Sequence, residues 1–129
     1  MPKDSVRTSR APAAIGPYSQ AIVAGGQVFC SGQVGLDPES GQIPETVEEQ
    51  TRQALMNLKA VLRAAGCSLD DVVRAGVFLT DMADFPRMNA VYEQFFRSPA
   101  PARSTVAVSG LPLGVKVEVD AIALVPART

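Results

Sequence analysis

The run Val72 to Leu79 would carry apolar side chains at both parities of a strand: Val73, Ala75, Val77 and Leu79 on one side, Val72 and Phe78 on the other. Successive side chains alternate between the two faces of a sheet, so a strand of this kind is buried on both. The chain has 129 residues, enough for a single domain over residues 1–129 and too few to lay helices over both sides of a sheet. One face is therefore expected to meet another copy of the same chain.

The elements around that strand follow from periodicity. Ala21 to Ala24 and Gln27 to Ser31, separated by Gly25 and Gly26, read as a β-hairpin. Thr46 followed by Glu49 has capping-box spacing, and the apolar positions Val47, Ala54, Leu55, Leu58, Val61, Leu62 and Ala65 recur as on one face of a helix that Gly66 ends. A second helix is expected from Asp84, as cap, to Phe96, with Pro86 in its first turn and Met88, Val91, Tyr92 and Phe95 on one face. Arg103 to Val108 and Val115 to Val125 complete the sheet. With Ser5 to Thr8 as a short edge strand the order is βββαβαββ, an α+β domain whose mixed sheet carries both helices on one face.

Composition removes several classes of function. The twelve Lys and Arg are scattered among thirteen acids, for a net charge of -1, and form no basic stripe of the kind that displaces counterions from nucleic acid. Neither an amino-terminal apolar stretch nor a membrane-spanning run is present in the sequence, so the cytosol is the expected compartment, with no membrane partner. Cys30 and Cys67 suit neither a disulfide framework nor metal spacing and read as packing residues. The chain has no histidine, which excludes Ser-His-Asp and Cys-His catalysis and the common zinc sites. No glycine-rich phosphate loop joins a strand to a helix. No metal and no cofactor is expected, and any chemistry falls to carboxylates, hydroxyls, backbone groups and water.

In the last strand Val115, Val117, Val119, Ala121, Ala123 and Val125 share the parity of the core, so Glu118 and Asp120 point to the other face. Arg103 opens the neighbouring strand, after the stiff run Pro99-Ala100-Pro101-Ala102. Its guanidinium fork suits two uses, a structural ion pair or an anion site, and position alone leaves both open. Tyr18, beside Pro17, and Ser31, in Ser31-Gly32-Gln33, read on their own as turn and strand-end residues.

These segments also carry a resemblance. Ala11 to Ala21 (A-P-A-A-I-G-P-Y-S-Q-A), Ser31-Gly32-Gln33, Thr80 to Phe85 (T-D-M-A-D-F), Pro101-Ala102-Arg103-Ser104 and Val117-Glu118-Val119 resemble, in order and over nearly the whole chain, the RidA family, also called the YjgF or L-PSP family. The resemblance implies a chorismate-mutase-like fold, a homotrimer with active sites in clefts between subunits, and hydrolysis of reactive enamines and imines such as 2-aminoacrylate and 2-iminobutyrate to 2-oxo acids and ammonia. Such an activity removes an electrophile before it damages other enzymes. Carried over, Arg103 clamps the substrate carboxylate and Glu118 holds the water. Tyr18 and Ser31 line the cleft, Asn89 lies near it, and the backbone of Thr105 contacts the substrate. Many relatives have cysteine where this chain has Thr105 and an aromatic residue where it has Ala100, which bears on side-chain preference. Two other readings go with the same resemblance: deamination of a larger pathway-specific imine, and a ribonuclease-like or protein-binding role.

Overall fold

The computed structural model describes residues 2–127. Its strands are β1 (Asp4–Val6), β2 (Ala21–Ala24), β3 (Gln27–Val34), β4 (Val72–Leu79), β5 (Ala102–Ala107) and β6 (Val117–Leu124); its helices are α1 (Val47–Ala64) and α2 (Phe85–Tyr92). They form one mixed sheet in the order β1-β2-β3-β6-β4-β5. All pairs are antiparallel except β4 with β5, which run parallel because α2 lies between them in the chain. The α+β domain and the βββαβαββ order expected from the sequence are those observed.

Helix α1 starts where Thr46 Oγ1 accepts the Glu49 amide hydrogen at 3.2 Å, with Glu48 and Glu49 at the positive end of its dipole. It stops before Gly66, whose φ of 82° is costly for any residue with a side chain. Val47, Ala54, Leu55, Leu58, Val61 and Leu62 are buried against β3 and β6. From β6 they meet Val117, Val119, Ala121 and Ala123, the parity expected to face the core. Full burial of a Leu or Val contributes about 1.5–3 kcal/mol each, so this layer dominates stability.

Polar side chains inside the layer tie elements together. Gln50 on α1 accepts the Lys116 amide hydrogen and donates to the Pro44 carbonyl, both at 2.8 Å. Asn57 donates to the carbonyls of Val34 and Leu36 at 2.9 Å. Gln20 accepts from the Thr8 amide and donates to the Pro12 carbonyl, which fixes the amino-terminal segment against β2. Each buried amide is thereby satisfied, as its desolvation demands.

Three expectations are corrected. The register shifts between Val72 and Arg74, so Val72 turns into the core at 6% exposure and Val73 turns out at 44%; a bulge reverses the parity of residues before it. Asp84 does not cap α2 with its side chain but pairs with Arg87, and Asp81 caps the preceding turn of 3-10 helix (Met82–Asp84) by accepting the Ala83 amide hydrogen. Helix α2 ends at Tyr92 rather than Phe96, because Gln94 and Phe95 donate to the carbonyls three residues back and tighten the chain into a turn.

With both helices on one side, the opposite face of the sheet is bare. Phe29 and Val106 are 43% and 44% exposed there, beside the half-buried Phe78 and Ile122. They border a hollow of about 420 Å³ that Arg74, Ser104 and Asp120 also line. With Val72 turned into the core, β4 itself brings Phe78 to the hollow beside Arg74 and Gly76, and most of the apolar surface there comes from β3, β5 and β6. No helix among the described residues is long and apolar enough to cross a membrane.

Candidate active site

Arg103 sits on β5, the edge strand, in register with Ala75 of β4, and Thr105 is in register with Val77. Ala75 and Val77 face the helices and are fully buried. Arg103 and Thr105 therefore also rise from the helix-covered side, since partners in a ladder share a face. There the Arg103 guanidinium meets α2. Nη1 donates to Asn89 Oδ1 at 2.8 Å, and Cζ lies 4.6 Å from the Tyr92 ring centroid and 5.5 Å from that of Phe85. The ion pairs among the described residues join Arg87 to Glu48 and Asp84, and Arg97 to Asp70, leaving Arg103 without a carboxylate. Of the two uses open to this arginine, the structural ion pair is absent among the described residues.

Two hydroxyls on this side are buried without a hydrogen-bond partner: Tyr92 OH and Thr105 Oγ1. Burial raises the Tyr92 pKa, and the nearby Arg103 charge opposes that rise in part.

Glu118 lies on β6 opposite Phe78 and Val34, hence on the bare face of the sheet. Its carboxylate rests over Gly32: a Cβ built there would stand 2.7 Å from the Glu118 carboxyl carbon and 3.0 Å from its Cγ. Gly32 and Ser31 fall inside a register shift of β3 between Cys30 and Gln33, which brings this backbone under the carboxylate. The Ser31 hydroxyl donates to the Ser19 carbonyl, next to the half-exposed Tyr18. Burial raises the Glu118 pKa, and the like charge of Asp120 adds to it. Burial raises that of Asp120 as well, offset by a hydrogen bond from the Gly76 backbone and by the charge of Arg74.

The sequence-derived site residues thus fall into two groups. Arg103, Asn89 and Thr105 gather on the helix side of the sheet edge; Glu118, Ser31 and Tyr18 gather around Gly32. β4 separates β5 from β6, so Arg103 does not open the strand next to the last one. Across β4 Glu118 is level with Val106, three residues along β5 from Arg103, so two inter-strand spacings and that offset put their backbones roughly 14 Å apart, and the two side chains leave opposite faces. Within one chain Arg103 and Glu118 cannot address the same small molecule. Sequence reasoning placed Tyr92 in the core and gave it no further part, and it passed over Phe85. The visible signal was their spacing with Asn89, since Phe85, Asn89 and Tyr92 recur at i, i+4 and i+7.

Comparison with known proteins defines the class. Residues 8–125 match the family described as Endoribonuclease L-PSP, and the chain belongs to this family, the one also called RidA or YjgF. Among individual relatives, it is 49% identical over 120 residues to a 2-iminobutanoate/2-iminopropanoate deaminase of Bos taurus, covering 92% of this chain and 88% of that one. It is 50% identical over 122 residues to a RutC family protein of Pyrococcus horikoshii, covering 94% and 97%. The crystal structure of Escherichia coli TdcF with bound serine superposes with a TM-score of 0.90 at 46% identity, over 98% of this chain and 99% of that one.

Proposed function

We propose that this chain is a hydrolytic deaminase of small 2-imino and 2-enamino acids, of the 2-iminobutyrate and 2-aminoacrylate type, releasing 2-oxo acids and ammonia. The observation that carries the reading is the Arg103 guanidinium, half-buried, held by an amide and two aromatic rings, and paired with no carboxylate among the described residues. A substrate carboxylate completes it with charge-assisted hydrogen bonds of about 1.5–3 kcal/mol each. Deaminase relatives at 49% identity support the same chemistry, as does the small amino acid bound to TdcF.

The division of the site argues for assembly. In a homotrimer, Arg103 at the sheet edge of one copy faces the bare sheet surface of the next, which carries Glu118, Ser31 and Tyr18. The apolar face of Phe29, Phe78, Val106 and Ile122 is covered in the same step.

Hydrolysis then needs little machinery. With the acid end held by Arg103 and the Thr105 backbone, the C=N carbon is already electrophilic. Glu118, its pKa raised by burial, accepts a proton from the attacking water as the C–O bond forms. It passes that proton to the nitrogen, giving a carbinolamine, and then carries the remaining hydroxyl proton to the same nitrogen as the C=O forms and the C–N bond breaks, so that ammonia leaves and the 2-oxo acid remains. An enamine first gains a proton on carbon and gives one up from nitrogen to become the imine. No histidine is needed at any step.

The test is ammonia release from freshly generated 2-iminobutyrate. Arg103→Ala is expected to lower kcat/KM about 100-fold or more, equivalent to about 3 kcal/mol, with the fold retained. Random equal mixing of Arg103→Ala with Glu118→Gln should return about a quarter of wild-type activity, because in that share of inter-subunit sites the arginine comes from a Glu118→Gln copy and the glutamate from an Arg103→Ala copy. No recovery on mixing rejects the shared site. Tight RNA binding with a steep salt dependence and no ammonia release rejects the deaminase.

A further inference from the structure

We infer that Tyr92 is a positioning residue for the reaction: its ring fixes the plane of the Arg103 guanidinium so that the fork meets the substrate carboxylate in one orientation. The inference rests on the deaminase reading above and assigns a part to a residue that this reading does not use.

An arginine side chain turns about several bonds, and each freedom lost on binding an anion weakens the bound state. A fork already held in place avoids that loss. Around Arg103 the restraint comes from one stripe of α2. Asn89 fixes a single nitrogen, at 2.8 Å. One hydrogen bond still leaves the plane free to rotate about the Nη1–Oδ1 line. The Tyr92 ring, 4.6 Å from Cζ, removes that rotation by offering its electron-rich face, and Phe85 flanks the group more distantly at 5.5 Å. Tyr92 itself has little room to move. It is 5% exposed and lies 4.6 Å from Phe96, with the two rings tilted by 33°.

The Tyr92 hydroxyl makes no well-formed hydrogen bond, although Arg103 lies near enough to lower its pKa. The contact of defined geometry that the residue makes toward the site is the face of its ring against the guanidinium. The ring is therefore the working part, and phenylalanine should replace it whereas an aliphatic side chain should not.

The experiment compares Tyr92→Leu, Tyr92→Phe and Phe85→Leu with the wild type. It measures kcat and KM for 2-iminobutyrate, Kd for 2-oxobutyrate by calorimetry, and thermal unfolding. Tyr92→Leu is expected to raise both KM and Kd about 5- to 30-fold, the span of a partly desolvated cation–aromatic contact, with kcat changed less than about threefold. Tyr92→Phe should restore both constants to within about threefold of wild type. Phe85→Leu, at the more distant ring, should raise them about two- to fivefold. A purely structural Tyr92 would lower the unfolding temperature on replacement by leucine and leave KM and Kd unmoved, which overturns the inference. So does a loss in Tyr92→Phe as large as that in Tyr92→Leu. If Tyr92→Leu does not fold, Phe85→Leu decides, and unchanged constants there are equally fatal. Wild-type protein that binds 2-oxobutyrate but releases no ammonia removes the deaminase reading while Kd still judges the ring; protein that binds no 2-oxobutyrate removes both.

Discussion

Replacing Gly32 by alanine should separate activity from stability more sharply than any other single change. An added Cβ would stand 2.7 Å from the Glu118 carboxyl carbon, against about 3.5–4.0 Å for carbon atoms in comfortable contact. The carboxylate must therefore retreat by about 1 Å. It is the far end of a flexible side chain on a face that no helix covers, so it can swing away at small cost. Gly32 itself is not in the left-handed region, and its backbone accepts alanine without strain. Thermal stability should change by less than about 1 kcal/mol. A displacement of 1 Å at a group that positions water costs on the order of 100-fold in rate, or about 2.7 kcal/mol of barrier. The assay is kcat for ammonia release from 2-iminobutyrate beside a melting curve and an oligomer-mass measurement. Wild-type kcat in a correctly assembled Gly32→Ala protein would show that the Glu118 carboxylate does not need its place over this glycine, and the water-holding role would fall with it.

Asp120→Asn should move the acidic limb of the pH–rate profile downward. In the proposed hydrolysis Glu118 must be ionised to take a proton; its pKa is raised first by burial and second by Asp120, so removing that charge shifts the limb back only in part. The same two carboxylates bind protons more tightly folded than unfolded. They add stability below their ordinary pKa values that is lost as pH rises through the raised ones, and a urea titration at several pH values should show a shallower loss in Asp120→Asn. Cys30, its pKa pushed up to about 12 mainly by burial, should resist iodoacetamide at pH 8, where about one molecule in 10⁴ holds the thiolate. Mass spectrometry should find the adduct only after denaturation, and rapid labelling of the native protein would contradict the burial.

The fold was legible wherever one periodicity ran unbroken. Alternation from Val117 to Ala123 named the core face of β6, and the i, i+3, i+4 pattern with Thr46 and Gly66 bounded α1 to within a residue. Legibility failed at local breaks in the ladder. Val72 and Val73 exchange faces because of a bulge that two adjacent valines do not announce, and α2 shortens because i+3 hydrogen bonds win over an apolar pattern that continues to Phe96. The site was legible as a set of residue types and invisible as an arrangement. Arg103 and Glu118 could be picked out, yet their strands are separated by β4 and their side chains leave opposite faces, which follows from pairing order and not from spacing along the chain. Tyr92 read as core, and Phe85 was given no part, because an aromatic stripe on a helix packs against a guanidinium in the same pattern as against leucine.

The placement of Arg103 and Glu118 on opposite sides of one sheet also bears on how such an enzyme behaves when scarce. Under the shared site proposed above, a newly made chain, however well folded, would be chemically silent until it finds its fellows. Activity would then fall more steeply than protein amount on dilution, and a defective copy would spoil the clefts it shares with sound neighbours.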